Sequence, residues 1–369
     1  MMRLDDREWK VFTLEYIFNI LPGKRLEKRN MITGDRPFIG ASDSNNGLTA
    51  YCGNVNESLD KNVLGINYNG SVCEAFYHAY ECIFSDDVKR FHLKHHADNK
   101  LVLLFMGVVI RQQKVKYQYA YKFNEQRMRR QVIMLPVTED GKPDYQFMED
   151  YIRELMIAKR KQYRDYAEKQ LKSLALAEAN AGGGYDLDLQ SCEWKPFNLT
   201  GNNGLFQIHA TSTGVDGIRL KRGNDTMLPY VTRTETNNGI ASFISLDNLE
   251  FGKDKGNCIS IGLDTQTAYW QPSDFITGQN IHVLRSEKLN YYSYQFLTII
   301  LRQQMKSKFN WGGNGATLGR LRNLVIMLPV TELGEPNYGF MEQYGRRMIV
   351  KKYQQYISFC DSLYCRGGK

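Results

Sequence analysis

Few side chains in this chain could carry covalent chemistry, and they are poorly arranged for it. Asp144 follows Pro143, with Glu149 and Lys159 downstream, a combination a nuclease could use around a divalent ion. The same stretch returns 193 residues later with Asn337 in place of Asp144. Asp144 therefore reads as an acidic residue near a helix N-terminus, where the dipole favours negative charge. His92, His95 and His96 in HLKHH have partial metal-ligand spacing, but only His92 finds a counterpart, His282 in IHVL. That run reads as a solvated loop rather than a metal site. No Gly-x-Ser-x-Gly elbow, no GxxxxGK[ST] phosphate loop, no NPPY or DPPY tetrapeptide and no glycine-rich cofactor loop occurs. Seven cysteines form no CxxC pair and read as reduced thiols.

The basic segments are more informative. Arg111 to Arg130 holds seven Lys or Arg and one Glu, interleaved with Tyr117, Tyr119, Tyr121 and Phe123. Arg302 to Arg322 holds five basic residues and no acidic ones, with Phe309, Trp311 and a WGGNG loop. Basic residues and aromatics at matching places in both halves suit phosphate contacts on duplex, with Lys116, Lys122, Arg127 and Arg129 in one half and Lys308, Asn314, Arg320 and Arg322 in the other. Further loops carry side chains that suit base edges in the major groove, Arg for guanine and Asn for adenine. These are Lys24, Arg25, Arg36, Ser42 and Asn45, and opposite them Arg219, Lys221, Arg222, Arg233 and Asn237. Asn45-Asn46-Gly47 is also a turn signal, and its recurrence marks it as scaffold whose variable flanks do the reading.

The elements that position these residues are organised by duplication. VIMLPVTEDGKPDYQFME at 132–149 and VIMLPVTELGEPNYGFME at 325–342 are each a strand-like run, a proline-bounded turn and a helix start. Arg127 and Arg129 match Arg320 and Arg322, Pro37-Phe38 matches Pro229-Tyr230, Asn45-Asn46-Gly47 matches Asn237-Asn238-Gly239, Gly23, Arg25 and Leu26 match Gly217, Arg219 and Leu220, and Trp9-Lys10 matches Trp194-Lys195. Short strands are expected in VLGINYNGS, AFYHAYECIF, NCISIGL and TAYW, with helices over 101–113 and 289–308. After Pro143, Met148, Ile152, Met156, Tyr163, Ala167, Leu171 and Leu174 form one apolar stripe on a charged helix of roughly 54 Å. The helix stops at Gly182-Gly183-Gly184. Ile349, Tyr353, Ile357, Cys360 and Tyr364 repeat the stripe at the C-terminal end, and the two stripes are expected to bury each other as an antiparallel coiled coil. The fold class is thus α+β, two pseudo-repeated mixed α/β domains each followed by a long helix.

Composition sets outer bounds. At 369 residues with 42% hydrophobic and 24% charged content, two globular halves are expected. The net charge of +8 is compatible with a polyanionic partner and excludes an acidic DNA mimic. The charged N-terminus has no signal-peptide core, and the longest apolar run, at 101–110, is too short to span a bilayer, which predicts a cytoplasmic protein.

LPGKRLEKRNMITGDRPFIGASDSNNGLTAY and GIRLKRGNDTMLPYVTRTETNNGIASF resemble the openings of target-recognition domains in restriction–modification specificity subunits, and VIMLPV with its proline turn and long helix resembles their passage into a spacer helix. The PVTEDGKPDYQFMEDYI form looks closer to Type IIB and Type IIG systems than to Type I. The resemblance covers essentially the whole chain, although the first copy lacks the WGGNGATLG loop. It implies a first target-recognition domain at 1–143, a central spacer helix at 144–180, a Gly-rich linker at 181–190, a second target-recognition domain at 191–336 and a C-terminal spacer helix at 337–369. It also implies a non-catalytic subunit that reads a bipartite site in double-stranded DNA, with the helices as a ruler. A partner methyltransferase or methyltransferase–nuclease subunit docking on the helices would bring S-adenosylmethionine, and Mg2+ for cleavage. A stand-alone nuclease or methyltransferase is the competing expectation.

Overall fold

The computed structural model describes residues 2–117, 122–180, 187–201, 204–221, 226–309 and 314–366, with the side chains at 176–180, 226 and 363–366 outside that description. The chain divides into two compact units, residues 1–163 and 164–369. The division falls inside a long helix rather than at its start. In chain order the first unit holds β1 (Trp9–Thr13), α1 (Leu14–Ile17), β2 (Phe18–Pro22), β3 (Arg36–Ile39), β4 (Leu48–Cys52), β5 (Val63–Asn67), β6 (Ala75–His78), β7 (Ile83–Phe84), β8 (Val88–Leu93), α2 (Lys100–Arg111), α3 (Glu125–Arg130), β9 (Val132–Pro136) and the start of α4 (Tyr145–Asn180). The second holds the rest of α4, then β10 (Trp194–Asn198), β11 (Gln207–Ala210), β12 (Thr226–Val231), β13 (Ile240–Ser245), β14 (Cys258–Gly262), β15 (Ala268–Gln271), β16 (Ile276–Thr277), β17 (Ile281–Arg285), α5 (Tyr291–Lys308), α6 (Leu318–Arg322), β18 (Val325–Pro329) and α7 (Tyr338–Arg366).

Each unit builds the same three sheets. In the first, β1 pairs with β9, β2-β8-β5-β6 form a four-stranded sheet, and β4-β3-β7 a three-stranded one in which β3 and β7 run parallel. In the second these become β10-β18, β11-β17-β14-β15 and β13-β12-β16, with β12 and β16 parallel. The central strand explains the layering. β5 is buried at all five residues, and because side chains alternate across a strand, Leu64 and Ile66 face the core shared with Phe91 and Met106 while Val63 faces Ile39, Phe84 and Val88. β14 repeats this, with Ile259 and Ile261 towards Leu297 and Leu301 and Cys258 towards Val231 and Phe275.

A set of four aromatic rings fastens the two-stranded ribbon and the long helix to each core. Trp9 stacks on Phe105 at 6.2 Å, Phe105 meets Tyr151 edge-on at 6.1 Å, and Tyr151 stacks on Phe147 at 6.2 Å. Trp194, Phe296, Tyr344 and Phe340 repeat the set at 6.5, 5.5 and 5.9 Å. The helix approaches more closely in the second unit. A Cβ at Gly345 would lie 2.3 Å from the Tyr292 carbonyl, so only glycine fits where the first unit has Ile152, and Arg346 lies over the Tyr292 ring at 4.3 Å.

The expected stripe on α4 is partly realised. Met148, Ala167 and Leu174 are buried, whereas Tyr163 is exposed and falls at the end of the first unit. Within the second unit Arg164 Nη1 donates to Asp361 Oδ1 at 2.5 Å, and Tyr166 meets Tyr353 at 6.1 Å. Residues ascending on α4 thus meet residues descending on α7, the sense of an antiparallel pair. Tyr364 lies outside the described side chains.

Truncating the aromatic sets should expose how much they hold. Phe105→Ala and Phe296→Ala are each expected to destabilise their unit by about 3–5 kcal/mol, the usual result for a buried ring. Exposed Val108→Ala should change little in the same urea titration, and equal effects at the two positions would refute the assignment.

Candidate nucleic-acid interface

The residues that looked chemical serve as structure. Asp144 Oδ1 accepts the Phe147 amide at 2.9 Å, and Arg7 Nε donates to Asp144 Oδ2 at 3.0 Å. Asn337 Oδ1 accepts the Phe340 amide at the same 2.9 Å, so both residues cap the start of a long helix. Cys192 stands where Arg7 would lie in the repeat, and the charge pair is absent from the second unit as a pair.

His92 overturns the expectation of a solvated loop. It is a β8 residue, with Nδ1 2.6 Å from Asp98 Oδ2 and Nε2 2.9 Å from Asp60 Oδ2, and Arg90 Nη1 donates to the same Asp60 oxygen at 2.9 Å. Its two ring nitrogens face carboxylates, which leaves no lone pair for a metal, and no cluster of metal-ligating residues occurs among the described residues. His282 is not its counterpart. Phe91 lies opposite Leu64 and Leu284 opposite Ile259, so Arg285 takes the His92 position and His282 that of Lys89. Gly23 and Gly217 are likewise not equivalent. The Gly23 amide bonds to the Val88 carbonyl, and the amide that does so after β11, towards Ile281, belongs to Thr211. The segments carrying Lys24 and Arg25 on one side and Arg219 on the other therefore differ in structure.

The basic residues fall into three settings. Several are held by the protein itself. Arg36 Nη1 donates to the Asn54 carbonyl at 2.8 Å and its other nitrogens meet Glu81. Arg129 bridges Glu15 at 3.1 Å and Glu125 at 2.8 Å. Arg127 and Arg320 each donate to the carbonyl five residues upstream, Lys122 and Gly315, at 2.7 and 2.9 Å, and Lys308 donates to the Val325 carbonyl at 3.2 Å. Asn314 donates to the Lys308 carbonyl at 3.1 Å. A second group forms exposed ion pairs of low strength, which a phosphate can replace. Lys24 meets Glu57 at 2.9 Å, Arg25 meets Asp86 at 3.7 Å, Lys221 meets Glu250 at 2.8 Å, and Arg233 pairs with Asp264. Arg219 lies over the Phe251 ring at 5.3 Å. The third group, Lys116 and Arg130, lines an open polar cleft of about 370 Å³ in the first unit, beside Gln126, Gln131 and the carbonyl-bound Arg127. Arg322 and Lys122 are exposed, and Arg222 lies outside the described residues.

Among the described residues, the interleaved aromatics pack inward and form no stacking platform. Tyr117 and Phe123 are buried against each other at 4.4 Å, and Phe309 packs on the second core. Tyr119, Tyr121 and Trp311 lie outside the described residues.

The turn between β3 and β4 is unusual. Asn45, Asn46 and Gly47 all adopt left-handed φ, at 49°, 54° and 73°, and Asn237, Asn238 and Gly239 do the same at 50°, 57° and 77°. Asn tolerates this region better than other side chains, which is why the pair recurs. The flanks recur as well. Ser42 Oγ lies 3.0 Å from Ser44 Oγ and accepts the Ser44 amide, and Thr234 Oγ1 lies 3.2 Å from Thr236 Oγ1 and accepts the Thr236 amide. Sequence reading missed this Ser/Thr–acid–Ser/Thr run because it compared identities, and it also missed the repeat of Phe105–Gln113 in Phe296–Gln304 at a spacing of 191.

A model of the Type I restriction modification DNA specificity domain matches residues 6–163 and again 193–357. Over 149 residues the chain is 58% identical to the specificity subunit S.BcgI of a Type II restriction enzyme from Heyndrickxia coagulans, a stretch that covers 40% of this chain and 44% of that relative. The match thus spans less than half the length of the curated relative. Among solved structures, the S subunit of a Type-I restriction-modification system from M. genitalium aligns over 99% of this chain and 95% of its own at 14% identity and a TM-score of 0.42. The HsdS subunit from Thermoanaerobacter tengcongensis aligns over 98% and 92% at 13% identity and a TM-score of 0.29. No described helix is long and apolar enough to cross a membrane.

The His92 cluster gives a pH signature confined to one unit. Hydrogen bonds to Asp60 and then Asp98 raise its pKa to about 9. Because an unfolded histidine titrates near ~6.5, this contribution to stability is complete below that pH and is lost as the pH rises through about 9. Burial lowers the pKa of both His78, to about 4, and His282, which places them below that window. In urea titrations of the full chain, the advantage of wild type over His92→Gln should shrink between about pH 6.5 and 9. A constant difference across that window would refute the assignment.

Proposed function

The chain belongs to the Type I restriction modification DNA specificity family, and we propose that it is the DNA-reading, non-catalytic subunit of a restriction–modification complex. Each unit reads one half of a bipartite site in double-stranded DNA. The observation that carries this reading is the strand-for-strand repetition of one fold, in which the segments before β3 and before β12 nevertheless differ. One scaffold presenting two sets of side chains suits two different half-sites. The candidate catalytic residues support the non-catalytic part, since Asp144 caps a helix and His92 is held by two carboxylates. A partner methyltransferase or methyltransferase–nuclease would then supply S-adenosylmethionine, and Mg2+ where cleavage occurs, in the cytoplasm where the chromosome lies.

On this reading the polar cleft meets phosphate, which is sequence-independent, and the segments that differ between units, with their exposed Lys24, Arg25 and Lys221, meet base edges. The cleft gives the direct test. Lys116→Ala combined with Arg130→Ala should weaken binding of every duplex and lower the slope of log K against log salt by about 2, roughly 0.9 for each phosphate that is no longer neutralised. Arg129→Ala, whose guanidinium is occupied by Glu15 and Glu125, should lower stability more than it changes the slope. Fluorescence anisotropy with the full chain measures the slopes and urea titration the stability, and an unchanged slope in the double variant would remove the cleft from the interface.

A further inference from the structure

The paired turns carry a feature that the fold does not require. In SDSNNG at 42–47 and TETNNG at 234–239, three consecutive left-handed residues and the same hydroxyl network hold one acidic residue in place, Asp43 or Glu235. Both are exposed, and neither carboxylate has a hydrogen-bond or ion-pair partner among the described residues. The turn is clamped from below in the same way each time. Asn46 Nδ2 donates to the Tyr77 carbonyl at 3.3 Å and Asn238 Nδ2 to the Trp270 carbonyl at 2.7 Å. In the second unit Tyr269 Oη also donates to the Glu235 carbonyl at 2.5 Å, and Gln271 Nε2 to the Asn238 carbonyl at 2.9 Å. Two non-glycine residues in the left-handed region strain the backbone, and strain of this kind persists where the surroundings over-determine it, typically at working sites.

An exposed, unpaired carboxylate on a turn whose neighbours are candidate duplex contacts is selective chemistry. The candidate duplex-contacting residues Ser42 and Asn45 flank Asp43 in sequence, and Arg233 and Asn237 flank Glu235. A carboxylate is repelled by phosphate but accepts a hydrogen bond from an exocyclic amino group, cytosine N4 or adenine N6, at a base edge in the major groove. An element with the same conformation and the same charge in both units cannot tell two half-sites apart. It asks both half-sites for the same donor, and with the same turn geometry in both units it favours the same amino-bearing base.

We infer that Asp43 and Glu235 are specificity-determining residues that each accept a hydrogen bond from an amino-bearing base at the equivalent position of their half-sites, which therefore share one base pair. Discrimination between the half-sites then falls to the dissimilar segments at 23–35 and 211–221. This assignment rests on the duplex-reading function proposed above. Asn46 and Asn238 act as positioning residues, since they touch the turn and not the DNA.

The test is selection of the full chain, with whatever partner subunits co-purify with it, from a pool of randomised duplexes, repeated with Asp43→Asn and Glu235→Gln. Each variant should relax one position in one half-site by about ten-fold or more in base preference and leave the other half-site intact. The two relaxed positions should hold the same base pair in the wild-type motif, and whether the preferred base is cytosine or adenine is read from that motif. Non-specific affinity should rise slightly in both variants, because a carboxylate that opposes phosphate has gone. A purely structural role would instead lower thermal stability and reduce specific and non-specific binding together. A motif unchanged by both substitutions, or relaxed positions holding different base pairs, would overturn the assignment while leaving the duplex-reading function standing. Failure of the wild-type chain to select any duplex would overturn both.

Discussion

The four-ring aromatic set of each unit is the contact on which the rest of the architecture depends. A two-stranded ribbon is marginal on its own, and a helix as polar as α4 or α7 has little reason to adopt a fixed direction. Trp9 and Trp194 bring the ribbon to the core helix through Phe105 and Phe296, and Tyr151 and Tyr344 bring in the long helix. The ribbon also carries the chain from α3 or α6 into the proline turn, so these rings fix where the basic segments end and where the helix begins. Offset and edge-on ring pairs prefer particular geometries beyond the area they bury. That is why the same angular pattern survives in both copies while Ile152 and Gly345 differ beside it.

A duplicated chain is a comparison of two solutions to one problem, and it sorts residues by what they must do. Where both units keep a bond, as with Arg127 to the Lys122 carbonyl and Arg320 to the Gly315 carbonyl, the arginine maintains the turn before its helix. Where a charge pair is present in one unit and wholly absent from the other, as with Arg7–Asp144 against Cys192 and Asn337, the pair was dispensable as a unit. Removing one partner would have left a buried charge unpaired, whereas changing both keeps the cap through Asn337.

Much of this was legible in the sequence. The strands at VLGIN, AFYH, CISIG and AYWQ and the helices that follow them are where short apolar runs and the helical period place them, with VLGIN and CISIG buried on both faces. Register was not legible. HLKHH and IHVL look alike as strings, yet strand pairing shifts them by three positions, and only hydrogen-bond partners reveal that Arg285 replaces His92. The partners of His92 are Asp60 and Asp98, and Asp60 lies 32 residues away in sequence, a separation no local pattern reports. For the same reason Tyr117 and Phe123 read as an aromatic surface, although their rings complete a core that includes Met128 and Ile133.

The duplication also constrains how such a chain can change. Residues that hold the shared scaffold are bonded to backbone carbonyls or to each other, so a substitution there disturbs the fold before it alters any contact outside. The charged side chains Lys24, Arg25 and Lys221, in the segments before β3 and β12, are tied only to surface carboxylates. Such pairs contribute little to stability, about 0–1 kcal/mol each, and their side chains can be exchanged almost freely. A scaffold that concentrates its constraints in rings, caps and left-handed turns leaves such exposed side chains free to vary, which is the physical condition that the duplex-reading function proposed above requires of one fold with many recognised sequences.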